Sequence, residues 1–204
     1  MEEPLSRCHR ASRAVAGFYL HGLCRIRVEG APPVAGPYIL SMNHRSALDP
    51  LMYAAILPRR IRYMTKFELS AYPVIGAVLS RWCVFIRRGR YDRNGMGQCE
   101  KALRDGFVLS VFPEGTRHAR LSMAHAGAVL LASRTGVPVI PGAILGSYRP
   151  LGHLTVRFGA PLHFPPRINK AQREEGSQTL LSAIIDLGAT PLPPRPSDRH
   201  NPWA

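Results

Sequence analysis

Short apolar runs alternate with longer, helix-like stretches along most of this chain. Tyr38–Met42, Ile61–Met64, Cys83–Ile86, Phe107–Phe112, Val137–Leu145 and Leu154–Phe158 are brief and rich in β-branched and aromatic residues, the texture of strands. Between them, residues 47–57, 94–104, 122–134 and 170–187 read as helices, and 67–80 as mixed helical, broken at Pro73 and Gly76. Pro50 is tolerable only in a first helical turn. Pro138 and Pro141 exclude a helix interior and suit a strand start and an edge or bulge. Strands alternating with helices predict an α/β fold, with a mixed, largely parallel sheet flanked by helices. The predicted domain spans 28–187. A basic segment, 1–27, precedes it, with a short helix over 11–23, and Gly30-Ala31-Pro32-Pro33 forms a loop. Residues 188–204 are Pro-rich, lack core formers and are expected to be disordered.

Length and composition narrow the class. At 204 residues, 46% hydrophobic and 20% charged, the chain is one domain, with or without a tail, and not wholesale disordered. No apolar run approaches the ~18 residues of a membrane span. The cysteines Cys8, Cys24, Cys83 and Cys99 have no C-x-x-C spacing, so no metal site is expected. The start does not read as a secretory signal, which suggests a reduced, cytoplasmic chain with structural thiols. The charge is the abnormal figure: 27 Lys+Arg against 13 Asp+Glu, net +14. Such a surface favours an anionic partner, whether nucleic acid, anionic lipid, phosphorylated substrate or acidic carrier. Arg7, Arg10, Arg13, Arg25 and Arg27 surround the apolar 11–23 stretch with no acid between Glu3 and Glu29. That segment is either a packing helix with solvated ends or an interfacial helix facing lipid headgroups.

Four fragments carry candidate chemistry. Asn43-His44-Arg45-Ser46-Ala47-Leu48-Asp49-Pro50 follows the first predicted strand of the alternating region. His44 and Asp49 are too far apart to share a helix face, but they can meet across a turn. A carboxylate on one ring nitrogen then fixes the tautomer and frees the other to take a proton. Alone, the pair also reads as a loop histidine and a helix N-cap. In Val111-Phe112-Pro113-Glu114-Gly115-Thr116-Arg117, a buried strand ends in a turn that is either structural or a polar cluster. In the second case Glu114 accepts from a substrate hydroxyl and Arg117 pairs with a phosphate. Val84-Phe85-Ile86-Arg87-Arg88-Gly89-Arg90 brings arginines to a strand end, as a solvated loop or a phosphate contact. Val137-Pro138-Val139-Ile140-Pro141-Gly142-Ala143 reads as a buried strand. There is no G-x-S-x-G elbow.

Together and in this order, NHRSALD, FIRR, FPEGTR and VPVIPGA resemble the four sequence blocks of the glycerolipid acyltransferase family, which is typified by 1-acylglycerol-3-phosphate acyltransferases. The first and third blocks are the specific ones, and the resemblance runs from about Val28 to Gly159. It implies a glycerolipid-acyltransferase-like single domain. The implied reaction is transfer of a fatty acyl group from acyl-CoA or acyl carrier protein to lysophosphatidic acid, giving phosphatidic acid in phospholipid biosynthesis. By that resemblance His44 is the general base and Asp49 its partner. Arg88, Glu114, Gly115, Thr116 and Arg117 serve the acceptor phosphate, and no cofactor or metal is needed. Arg87 stands where the family has an acidic or small residue, Trp82 where a glycine is common, and Met123-Ala124-His125-Ala126 replaces a frequent basic residue. These departures bear on the acceptor headgroup more than on the reaction. Glycerol 3-phosphate, another lysophospholipid or a glycolipid is the alternative acceptor.

The implied setting is the anionic inner face of the cell membrane, with the protein peripheral to it. A non-catalytic nucleic-acid-binding module is a distant rival, because no aromatic–basic strand of the base-stacking kind is present. Long acyl chains need an apolar groove, for which Leu51, Met52, Ala55, Val74, Val78 and Leu79 are candidates.

Overall fold

The structure, a computed structural model, describes residues 24–32, 35–87, 91–112 and 121–189, together with positions 14, 17 and 18. Seven strands form one sheet: β1 (Cys24–Glu29), β2 (Ile39–Met42), β3 (Ile61–Lys66), β4 (Cys83–Ile86), β5 (Val108–Val111), β6 (Val139–Gly146) and β7 (Gly152–Phe158). Their spatial order is β1-β7-β6-β2-β5-β3-β4. Every pairing is parallel except β6 with β7, so the expected mixed, largely parallel sheet is present. The helices are α1 (Asp49–Ile56), α2 (Pro73–Leu79), α3 (Arg93–Arg104), α4 (Leu121–Thr135) and α5 (Lys170–Asp186), with a 3-10 turn at Phe67–Ala71. The expected helix over 11–23 and the Pro-rich tail lie outside the described residues, apart from positions 14, 17 and 18 and Gly188 and Ala189.

β2 is central and buried on both faces. Ile39 packs with Leu109, Val139 and the apolar faces of α3, α4 and α5. Its neighbours Tyr38, Leu40 and Met42 pack on the opposite side with Met52 and Tyr53 of α1 and with Ile140 and Ile144. This is the two-sided apolar texture of a strand covered by helices on both faces. Two caps fix the helix starts. Asp92 accepts from Gly95 N–H ahead of α3 and also from Arg87 N–H at the end of β4. Those backbone donors, Arg87 first, hold its carboxyl below the usual carboxylate range. Asn169 and Gln172 form a reciprocal capping box on α5.

Two expectations change. The strand β1 begins at Cys24 and crosses the boundary expected between residues 27 and 28. Arg25 and Arg27 therefore belong to a sheet strand, paired with His153 and Thr155 of β7. In CRIRVE only Cys24 is buried, so apolar patterning gives little sign of the strand, and it depends on the β7 ladder. Pro141, in turn, is in the interior strand β6, paired with Ser41 of β2. On its other side the ladder is interrupted: Gly159 N–H donates to Pro141 O, and the next pairing is the Val139–Leu162 bridge. Proline fits because its missing N–H falls in that interruption.

Cys24 and Cys99 are buried thiols and Cys83 is partly buried, all unpaired with one another. Burial raises Cys99 to about 12 and Cys83 to about 11, which keeps both in the unreactive thiol form.

The β6–β7 hairpin turns on Gly146, at φ +93°, where a Cβ would run into the His153 carbonyl oxygen. We expect Gly146→Ala to lose about 2 kcal/mol or more of stability in urea unfolding, since both the dihedral and the close approach exclude a side chain.

Candidate active site

The five strands β2 to β6 run in one direction, so their C-terminal ends share one rim. In sheets of this kind ligands bind at that rim. The four sequence blocks fall on four different strands: the first follows β2, the second begins in β4, the third follows β5 and the fourth lies largely within β6. The sheet order places β2 between β6 and β5. β4 is three strands from β2, roughly 14 Å away at ~4.8 Å per strand.

Past Met42 the β2–β6 ladder gains one more rung, made by a side chain. The Asn43 amide is buried; its Nδ2 donates to Ile144 O at 3.0 Å, and Ile144 N–H donates to its Oδ1 at 2.7 Å. The next residue, His44, is therefore held at a fixed point on the rim. Its Nδ1 is 2.6 Å from Asp49 Oδ2 across the turn that opens α1. The ring lies against Phe112, with centroids 4.4 Å apart, and Phe112 in turn stacks on Tyr53 at 5.8 Å. The imidazole is 22% exposed, and among the described residues nothing bonds to its Nε2.

Asp49 is not the N-cap. Leu48 holds that position without a side-chain bond, and Asp49 is the first helical residue, followed by Pro50. Its carboxylate turns back over the loop and is fully buried. Oδ2 accepts from Arg45 N–H at 2.8 Å and Ser46 N–H at 3.0 Å as well as meeting His44. Oδ1 accepts from the Tyr148 hydroxyl at 2.6 Å. Burial, then the Asp49 charge and this bond, raise the Tyr148 phenol far above its ordinary value, so it stays a donor. Tyr63 fastens the start of α1 from β3 by donating to Pro50 O at 2.8 Å. The Tyr53 hydroxyl is also buried, but it finds no partner among the described residues.

The structure thus brings His44 and Asp49 together. Arg88, Glu114, Gly115, Thr116 and Arg117 lie outside the described residues. Phe112, the first residue of the third block, lies against the His44 ring at a tilt of 32°. Three contributors escaped sequence reasoning: Phe112 as a ring platform, Asn43 as a rung, and Tyr148 as a fourth donor. The six groove candidates do not line one surface. Met52 is fully buried in the core, whereas Leu51 next to it on α1 is 43% exposed, and Val74 and Val78 point outward from α2. Consecutive helical residues diverge by about 100°, so Leu51 and Met52 face different ways.

Fold and rim define an α/β protein with a carboxylate-held imidazole and, among the described residues, no serine or cysteine bonded to it. The acyltransferase family model matches residues 25–145, from β1 into β6, and the chain belongs to that family. Among its relatives is the 1-acyl-sn-glycerol-3-phosphate acyltransferase alpha of Homo sapiens, 36% identical over 141 residues, or 64% of this chain and 48% of that one. A probable 1-acyl-sn-glycerol-3-phosphate acyltransferase of Mycoplasma pneumoniae is 28% identical over 201 residues, 93% of this chain and 71% of that one. The crystal structure of the 1-acyl-sn-glycerophosphate acyltransferase of Thermotoga maritima superposes with a TM-score of 0.61 at 20% identity, covering 91% of this chain and 85% of that one, and shares the fold. The chain spans less than half the length of several curated relatives, such as 37% of one from Chlamydomonas reinhardtii. Tyr148 lies three positions beyond the family match.

Two tyrosines near the same carboxylate should behave oppositely. Tyr148→Phe strips a donor from a buried charge and should cost about 1.5–3 kcal/mol in urea unfolding. Tyr53→Phe removes a hydroxyl that bonds nothing among the described residues and should change stability by less than about 1 kcal/mol.

Proposed function

We propose that this protein transfers a fatty acyl group from an acyl thioester to the free hydroxyl of lysophosphatidic acid, giving phosphatidic acid. The observation that carries the reading is the His44–Asp49 contact on a fully buried carboxylate. Family membership supports acyl transfer, and the names of the relatives support the acceptor.

In this reading His44 Nδ1–H donates to Asp49, which leaves the Nε2 lone pair facing the rim. A thioester is already activated, so no protein nucleophile is needed. Nε2 takes the proton of the acceptor hydroxyl as its oxygen attacks the thioester carbonyl. The carbonyl carbon–oxygen bond of the new ester forms, and the carbon–sulfur bond breaks. The imidazolium returns its proton to the departing thiolate, so the thiol leaves neutral and the base is restored. Asp49 orients the ring and stabilises the imidazolium without itself being protonated. Phe112 limits ring tilt, and Tyr148 and the two loop N–H groups hold the carboxylate. The steps are redox-neutral and require no metal or cofactor.

Glu114, Gly115, Thr116 and Arg117 are assigned to the acceptor by their match to the third block, and Arg88 by its match to the second. β5, which leads to the third block, is next to β2, whereas β4, which leads to Arg88, is three strands away. Arg117 is therefore given the larger share of phosphate binding. Among the described residues no helix is long and apolar enough to cross a membrane. The reading places the protein peripherally, at the anionic inner face of the cell membrane, where a lysolipid acceptor is found.

The test is thiol release from acyl-CoA with a panel of acceptors: lysophosphatidic acid, glycerol 3-phosphate, other lysophospholipids and a glycolipid. Release only with a non-phosphorylated acceptor would overturn the phosphate assignment, and no release with any would overturn acyl transfer. In that assay His44→Ala should keep its fold by circular dichroism and lose about 10²–10⁴-fold in turnover, the range of general-base loss. Asp49→Asn should also be severe, because an amide can favour the wrong tautomer. Saturation curves should show Arg117→Ala, and less so Arg88→Ala, weakening use of lysophosphatidic acid by roughly 1.5–3 kcal/mol, with the donor curve little changed. Lysine should not fully rescue either position.

A further inference from the structure

Between β3 and β4 the chain passes through the Phe67–Ala71 turn and α2, whose sequence is PVIGAVL. No residue of α2 has a polar side chain, yet most of the helix faces outward. Val74 is 77% exposed, Val78 56% and Ile75 48%, beside Tyr72 at 58% and Phe67 at 38%. The packing explains why. Gly76 is the one buried residue of α2, and a Cβ there would stand 2.7 Å from the Ser70 carbonyl oxygen. The helix rests on the turn backbone against backbone, and its apolar side chains are left on the outer side. A helix on a protein surface ordinarily hides its apolar stripe and shows a polar one. Here the arrangement is reversed.

Cations bracket this crest. Exposed Lys66 precedes the turn and exposed Arg81 follows the helix. The Arg87 guanidinium lies 4.1 Å over the Phe67 ring. Arg62 donates to the carbonyls of Arg81 at 2.6 Å and Ser80 at 3.4 Å, anchoring the end of α2. Between Pro50 and Arg87 the only acid is Glu68. The crest starts at the catalytic rim, because β3 and β4 run parallel to β2 and Phe67 directly follows β3.

We propose that the crossover from Lys66 to Arg81, with Arg87, is the surface by which this protein docks on an anionic lipid bilayer. Tyr72, Val74, Ile75 and Val78 enter the boundary between headgroups and acyl chains, and Lys66, Arg81 and Arg87 meet lipid phosphates. A convex crest of aliphatic side chains with a flanking tyrosine and a basic margin is what an interfacial element presents. A bilayer demands no matching shape, whereas a protein partner would need a complementary pocket for the crest. The inference deepens the acyl-transfer reading and rests on it for the membrane's purpose, since a lysolipid acceptor and its product both reside there.

The experiment is sedimentation of the full chain with vesicles of phosphatidylcholine containing phosphatidylglycerol, and with phosphatidylcholine alone. The expected result is stronger binding to the anionic vesicles, partly reversed by salt. Val74→Ser/Ile75→Ser/Val78→Ser should weaken partition by about 10- to 100-fold. Lys66→Ala and Arg81→Ala should each weaken it by roughly five-fold at low salt, reducing the anionic preference by the same factor. Circular dichroism checks that each variant is folded. As a measurement that spares the crest, the Ile75→Trp variant should blue-shift its indole emission on adding anionic vesicles. Wild-type-like binding by the serine variant overturns the proposal. So does loss of binding on removing residues 1–23 while the serine variant still binds, or an emission from the Ile75→Trp variant that vesicles leave unchanged. Wild-type thiol release toward a short-chain, micelle-free lysophosphatidic acid is measured alongside. Docking without turnover counts against acyl transfer alone, and turnover without docking counts against this surface alone.

Discussion

A carboxylate with no exposed surface must find hydrogen-bond donors, or its desolvation is not offset. Asp49 meets this condition through four donors from two parts of the chain: the His44 ring and the N–H groups of Arg45 and Ser46 in its own loop, and the hydroxyl of Tyr148 from far along the sequence. The loop between β2 and α1 owes its shape to this convergence, because two of its amides are committed to the carboxylate. The helix starts where it does for the same reason, with Pro50 following at a position that needs no N–H. The imidazole orientation is a further result, as is the docking of the β6–β7 hairpin over the rim.

The sheet supplies what the carboxylate alone cannot. Parallel strands deliver their C-terminal ends to one edge, so strands spread over about a hundred residues of sequence end side by side. Asn43 adds to this by continuing the β2–β6 ladder through its side-chain amide. The site thus stands on rigid strands at its base and on a hydrogen-bonded loop at its edge. Phe112 links the two, stacked on Tyr53 of the core and in tilted contact with the His44 ring.

Much of this is legible in the sequence. Buried strands such as Ile39–Met42 and Val139–Gly146 announce themselves by short, mostly apolar runs, and the helices by the stretches between them. The His44–Asp49 meeting can be anticipated because both residues belong to one short loop. What stays hidden depends on partners distant along the chain. β1 reads as a basic polar stretch because its order comes from β7, more than a hundred residues later. Tyr148 carries no local signature; its role is set by a fold that brings it to Asp49 across 99 positions. Pro141 resembles an edge residue because sequence shows a missing N–H but not the break in the neighbouring ladder that accommodates it. The outward face of α2 reads as groove lining, since an all-apolar helix carries no record of which side its glycine turns inward.

The strand order also governs how the molecule can be made. β2 is the central strand, yet both its neighbours, β5 and β6, are synthesised long after it, and the tyrosine that completes the Asp49 shell comes later still. A growing chain carries the His44–Asp49 block for most of translation without the strands that bury it. Local contacts cannot nucleate that centre, so folding must wait on long-range pairing, the slow class of transition. Until then the apolar runs around the block stay exposed, a consequence of placing the early His44–Asp49 segment in the middle of the sheet.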